Sequence, residues 1–272
     1  MARRHVLPGY GLSLGYTTAY LGLLVLIPLA MCFLRAAGLS REQFVAAVSS
    51  DRAVAAYTLT FGASLLAALV NALFGLVLAW VLGRYDFPGK RLIDSLVDVP
   101  LALPTAVAGL TFSSLYVQTG WLGRVLVPLG IHGAYSRLAV VLVLTFTGLP
   151  FVVRAVQPVL EASDPAVEEA AACLGATSGQ TFRRVILPYL LPAWLTGIAL
   201  AFARALGEYG SVVFVSGNLP YRTEIAPVLI VERLEEFAYG EATAIAAVLL
   251  VFSFASLLTI NLLGRWSARR YA

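Results

Sequence analysis

Residues 168–188 read EEAAACLGATSGQTFRRVILP and interrupt a chain that is otherwise overwhelmingly apolar. Two adjacent glutamates, a run of three alanines, two glycines and two arginines stand where the flanking text is mostly Leu, Val, Ile and Phe. The local grammar is helical. Asp164 is a good N-cap, and Pro165 suits a first helical turn. Glu168 and Glu169 lie near the positive end of that helix, and Ala170, Ala171 and Ala172 favour it strongly. Gly175 is placed to end it in a left-handed conformation. Thr177 and Gln180 match a capping box that starts a second helix, and Pro188 opens the approach to the next apolar run. The sequence therefore predicts two short helices meeting at a Gly-centred corner. Two readings of the corner stand: a loop tucked against a bilayer surface, or a small-residue docking element that admits a foreign backbone.

Around the corner the composition points to lipid. Of 272 residues, 60% are hydrophobic and 12% charged, with a mean hydropathy of +0.85; soluble domains are about 25% charged. A spanning helix needs about 20 apolar residues. Six candidate runs occur, at residues 12–34, 59–82, 96–117, 138–156, 191–215 and 242–263. Pro100 and Pro104 interrupt the third, remove backbone donors and predict a bend. Freed carbonyls at that depth are tolerated against protein or a wet cavity, so this end is expected to face the interior. Arg3 and Arg4 precede the first run as in a signal peptide, but its apolar core exceeds the usual length of about 7–15 residues, so it reads as a retained span. With the N-terminus inside, 11 of the 19 lysines and arginines fall on the cytoplasmic side and 7 on the outer side. That bias places both termini and the corner in the cytoplasm, and the acidic VERLEEF at 231–237 outside.

Several function classes drop out. A net charge of +4 distributed this way is not a nucleic-acid signal. His5 and His132 are too few and too distant for a metal site. Cys32 and Cys173 fall on opposite faces of this topology, so no disulfide is expected. The only lysine, Lys90 in RYDFPGKR, is followed by Arg91, and Arg84 stands where a phosphate-cradling loop needs its first glycine. The chain therefore carries no ATPase motif of its own. No set of nucleophile, base and orienting group is visible, which argues against an integral membrane enzyme.

The spacing Glu169-Ala170-Ala171, three residues, Gly175, nine residues, Val185, one residue, Leu187-Pro188 resembles the EAA loop of ABC importer permeases. The family usually has Ile at the position of Val185. The resemblance implies an all-α integral membrane protein of the type I importer permease (MetI-like) fold. One permease domain, 1–272, would hold six transmembrane helices and a coupling helix between spans 4 and 5, in the 164–188 loop. It also implies that Glu169, Ala170, Ala171, Gly175, Val185, Leu187 and Pro188 engage a separate ATPase dimer, which binds ATP and Mg; no cofactor would bind this chain. Further stretches are similar to sulfate/thiosulfate permease subunits of the CysT (CysU) type: VDVPLALPTAVAGLTFSSLY (97–116), PFVVRAVQPVLE (150–161), GEYGSVVFVSGNLPYRTEIAP (207–227) and the opening RRHVLPGYGLSLG. Molybdate permeases share the LGEYG text and form the alternative. The resemblance implies a heterodimer with a CysW-type sister permease, a periplasmic sulfate/thiosulfate-binding protein, a lipid environment in the bacterial inner membrane, and no nucleic acid. A secondary transporter or channel can also contain broken spans, but has no reason to match the 169–188 spacing.

Candidate path residues complete the reading. Arg204 and Glu208, four apart in the fifth run, share a helix face if the helix continues. Charge in a span faces a bundle interior or a wet path. The pair either neutralises itself structurally or lines an anion route. Gly207 and Gly210 around it allow close packing or bending. Pro104 joins the list through the bend, and Asn71 is either a path residue or interhelical glue. The outer segment GNLPYRTE is polar enough to touch a binding protein.

Overall fold

The computed structural model describes residues 9–271; Arg3, Arg4, His5 and Ala272, on which parts of the sidedness and metal readings rest, lie outside them. Among the described residues every regular element is helical. Helix α1 spans Tyr10–Ala37, α2 Arg41–Val48, α3 Asp51–Arg84, α4 Lys90–Val97 and α5 Thr105–Tyr116. Helix α6 spans Arg137–Glu161, α7 Pro165–Cys173, α8 Ser178–Leu206, α9 Ala226–Glu235 and α10 Tyr239–Tyr271. Five of these are long and apolar enough to cross a membrane: α1, α3, α6, α8 and the Tyr239–Leu262 part of α10.

Helices α3, α6 and α8 form the centre, with α10 outside α8. Lipid offers no hydrophobic drive for helices to associate, so close backbone approach must hold them. The sequence supplies it. The inner face of α3 is Ala63, Ala67, Ala72, Gly75 and Ala79, all buried. A Cβ on Gly75 would fall 2.8 Å from the Val152 side chain of α6. Valines of α6 fill the groove between α3 and α8, and the Trp194 indole N–H of α8 donates to the Ala72 carbonyl at 2.8 Å.

Two expected spans are not single helices. The third run, 96–117, is broken: α4 ends at Val97, a single turn follows at Val99–Ala102, and α5 begins at Thr105. Pro104 is the reason; it has no N–H, and its carbonyl instead accepts from Val107 and Ala108 to start α5. Pro100 is buried as expected, but Leu101, Ala102 and Pro104 lie on the outside of this chain. Leu101 edges a cleft of about 640 Å3 between α6 and α8. The fifth run, 191–215, stops at Leu206, with Gly207 as its C-cap. Only a single turn, Val212–Val215, resumes it.

Candidate functional site

The corner is built by its own residues. Asp164 Oδ1 accepts from the Ala166 N–H at 2.9 Å and starts α7, with Pro165 in its first turn. At the other end Gly175 has φ +80. Its N–H donates to Ala172 O at 2.9 Å, and the Ala176 N–H donates to Ala171 O at 3.0 Å; this is a Schellman closure. The Thr177 N–H then donates to Gln180 Oε1 at 2.9 Å and the Gln180 N–H to Thr177 Oγ1 at 3.4 Å, the reciprocal capping box. The expected second short helix is not separate: it runs through a π turn, Phe182–Ile186, directly into α8. Pro188, which has no N–H to donate, lies two residues past the end of that turn.

Glu169, Ala170 and Gly175 are exposed and Ala171 half-buried, while Val185, Leu187 and Pro188 are half-buried where the corner joins α8. Nothing lies within 4 Å of a Cβ built on Gly175, so that position is open for another molecule. Leu174 projects beside it, 89% exposed. An apolar residue at a helix C-cap, next to the corner glycine, was its only trace in the sequence.

The sequence also did not show what braces the corner. Arg84, the last residue of α3, forms an ion pair with Glu168 of α7 and donates to Ser163 Oγ at 3.0 Å. Its guanidinium lies 5.4 Å from the centre of the Trp80 ring, and Trp80 meets Phe182 edge-on at 5.5 Å. Nearby, Arg154 of α6 holds α4 in place: Nε and Nη2 donate to the Asp98 carboxylate at 2.8 and 2.6 Å, and Nη1 to Asp94 Oδ1 at 2.6 Å. Two carboxylates around one guanidinium leave no excess positive charge for an anion.

At the opposite end of α8 the structure brings Arg204 and Glu208 together, although not on one continuous helix. Glu208 lies in the break after Leu206 and its side chain is 1% exposed. Its Oε2 pairs with Arg204 Nη1 at 2.5 Å. Its Oε1 accepts from the Ser211 N–H at 2.9 Å and Ser211 Oγ at 2.7 Å. A buried carboxylate with this many donors fixes the turn that follows. The break then locks onto α5: a Cβ on Gly109 would fall 2.3 Å from Ser211 O, and one on Gly210 would fall 2.2 Å from Thr105 Oγ1. Arg204 is one-third exposed. Asn71 is elsewhere, fully buried against Gly148 between α3, α6 and α8, with neither amide atom hydrogen-bonded among the described residues. Pro104, Asn71 and the Arg204–Glu208 pair thus sit in different surroundings: an exposed bend, a buried helix seam and a helix break.

Far from the corner, Arg52 at the start of α3 donates from Nε and Nη2 to both oxygens of Glu224, at 2.8 and 2.6 Å, and pairs with Glu232 of α9. Partial burial pushes the Glu232 carboxyl up, but the hydrogen bond from Arg52 and the charges of Arg52 and Arg233 outweigh it, leaving it below its ordinary value.

Comparison with known proteins agrees with this architecture. The profile of the family described as "Binding-protein-dependent transport system inner membrane component" matches residues 73–272. The sulfate transport system permease protein CysT of Synechococcus elongatus is 52% identical over 93% of this chain and 91% of its own length. The CysT protein of Salmonella typhimurium is 46% identical over 99% of this chain and 98% of its own. Among solved structures, a bacterial ABC transporter importing the acidic polysaccharide alginate superposes with a TM-score of 0.72 over 95% of this chain and 94% of that one, at 20% identity. The match in fold, the corner and the length of the sequence match agree: the chain belongs to the family of inner membrane components of binding-protein-dependent transport systems, and within it to the relatives of the CysT sulfate transport permeases.

Proposed function

We propose that this chain is the permease subunit of an ATP-driven importer that carries sulfate, and thiosulfate with it, into the bacterial cytoplasm. The observation that carries the reading is the exposed Schellman corner within a chain 52% identical, over 93% of its length, to a sulfate transport permease. A surface-tucked loop has no need of an open glycine and a projecting leucine. A docking element needs both: a place where a backbone can approach and an apolar anchor to fill a groove. Glu169, Ala170, Ala171, Gly175 and Leu174 would seat in a separate ATPase dimer that binds ATP and Mg, while Val185, Leu187 and Pro188 join the seat to α8. The corner and both termini face the cytoplasm in this reading, and the Glu224 side faces the periplasm, where a sulfate/thiosulfate-binding protein docks. A CysW-type sister permease supplies the other half of the path. This chain does no covalent chemistry. Arg204, with one face committed to Glu208 and the other open, lines or gates the route of the anion.

The test is uptake of labelled sulfate by cells lacking their own sulfate permeases, given this chain with its partner subunits. Uptake that thiosulfate competes away, and that stops when the ATPase partner is inactivated, is expected. Molybdate uptake without sulfate uptake would replace the substrate. Uptake that survives loss of the ATPase would replace the whole class by a secondary transporter.

A further inference from the structure

The corner is gripped by the end of one helix, and the other end of that helix grips the far face. At the near end both arms of the corner touch α3. Arg84 holds the first arm through Glu168 and Ser163, and Trp80 holds the second through Phe182. The Arg84 guanidinium over the Trp80 ring ties the two grips together. At the far end Arg52 takes both oxygens of Glu224 and also reaches Glu232. About two turns further along, the Thr60 hydroxyl accepts from the Ala226 N–H at 2.8 Å. Glu224 closes a compact loop whose Arg222, Thr223 and Glu224 N–H groups all donate to Leu219 O.

The rod between these grips is stiff. With 34 residues, α3 is about 50 Å long at 1.5 Å per residue. Of the three central helices it alone has neither proline nor π turn; α6 contains Pro150 and Pro158, and α8 contains Pro192 and the turn at Phe182–Ile186. Kinks concentrate at such features, so α6 and α8 are built to bend and α3 is not. The four buried side-chain polar atoms that lack a partner among the described residues all belong to α3: Ser64 Oγ, both amide atoms of Asn71, and Arg84 Nε. Buried polar groups are normally satisfied.

We infer that α3 is the strut that carries displacement of the corner to the far-side loop at 217–225, with Arg84 and Trp80 as the positioning residues that engage it. The inference rests on the reading of the corner as the ATPase seat. Motion of the seat pulls on Glu168 and Phe182 and therefore on the end of α3. Because α3 does not flex, Arg52 moves with it, and the Glu224 loop follows. The neighbouring helices, bent at their prolines, accommodate the shift.

The experiment is a charge-swap cycle in the complete transport complex in vesicles, measuring labelled sulfate imported and ATP hydrolysed in the same samples. Arg84→Glu and Glu168→Arg should each lower the ratio of sulfate to ATP at least tenfold, and the double swap should recover it to within about threefold of the unsubstituted chain. Arg84→Lys keeps the charge without the planar guanidinium over the Trp80 ring, and should lower the ratio about threefold. A grip that only steadied the ATPase seat would lower import and hydrolysis together and leave the ratio unchanged; that outcome overturns the inference, as does a double swap that stays at the level of the singles. The unsubstituted complex separates this from the reading beneath it. If that complex imports no sulfate while hydrolysing ATP, the substrate is wrong; if it does not hydrolyse ATP at all, the ATPase seat is wrong.

Discussion

At the corner, residues 164–188, the caps come from within six residues. Asp164 caps Ala166, Ala171 and Ala172 close on Ala176 and Gly175, and Thr177 and Gln180 cap each other. At the break after Leu206 the local bonds of Glu208 are only part of the construction. Gly210 nests on Thr105, Gly109 nests on Ser211, and the Tyr135 N–H donates to Val215 O at 2.8 Å. The first interruption of helix makes its own turn and is open, with Arg84 and Trp80 of α3 only tethering it from outside; the second is held by distant segments and closed. An element that keeps its shape without help can be displaced as a unit by a partner. An element that depends on two distant segments changes shape when either of them moves.

The largest effect should come from the glycine on which the open element turns. Gly175→Asp puts a charged side chain at φ +80, where nothing in this chain clashes with it. The fold should tolerate the change, since Asp visits the left-handed region more readily than most residues. Seating against a partner should not. Sulfate uptake is expected to fall more than tenfold, with the protein still present in membranes at near its normal level. Normal uptake would show that the corner is not a seat, and would weaken the contrast with the closed break.

Next in size is the buried carboxylate. Glu208→Ala strips Ser211 of its acceptor and leaves Arg204, one-third exposed, without its partner; breaking a fully buried pair this way costs about 3–5 kcal/mol, and the exposure of Arg204 puts this variant at the lower end. Glu208→Gln retains an acceptor but loses the charge, and should cost about 1–3 kcal/mol. Thermal unfolding of the purified protein in detergent reads both. If Glu208→Ala melts within a degree of the parent, the break is held by its glycine contacts alone.

Arg204→Ala removes the other half of that pair and should lower uptake more than Arg233→Ala, by about threefold or more if its open face meets the anion, since one good ionic contact is worth about 1 kcal/mol or more. Arg233 pairs with Glu236 at 2.6 Å and more loosely with Glu241 at 3.6 Å, in partly exposed positions where ion pairs contribute little. Equal uptake in the two variants would assign Arg204 to structure only.

The same contrast explains what the sequence could tell. The corner obeyed rules that act within a few residues, so Asp164, Gly175 and the Thr177–Gln180 box were legible with their conformations. The spans were legible in outline because hydropathy needs no partner. Their ends were not. Residues 207–215 are apolar enough to pass for helix, and the contacts that break it lie about a hundred residues away on α5, beyond any local pattern. Pro104 announced a bend but not the side it would face, because an isolated run does not show which neighbour satisfies its freed carbonyls. Arg84 drew notice only as a residue that spoiled a phosphate loop; its role against Glu168 depends on where α3 ends relative to α7. Arg52 and Glu224, 172 positions apart, carry no signal in sequence at all.

The smallest expected effect is a pH dependence confined to the far end of α3. The Glu232 carboxyl lies below its ordinary value in the folded protein because the hydrogen bond from Arg52 and the charges of Arg52 and Arg233 outweigh partial burial. A carboxylate with a depressed folded pKa adds stability above its unfolded value of about 4.3, and loses it as pH falls through the lower folded value. Glu232→Gln should therefore lower the melting temperature slightly at pH 7, by an amount worth less than about 1 kcal/mol because the side chain is partly exposed. The gap between variant and parent should close as the pH falls from the unfolded value through the lower folded one, where the parent's own carboxyl takes up its proton. Glu224 is nearly fully buried and takes both prongs of Arg52, so Glu224→Gln should cost more at pH 7. If instead the Glu232 gap widens on acidification, the carboxyl is not held by Arg52 in its charged form, and the far grip of α3 rests on Glu224 alone.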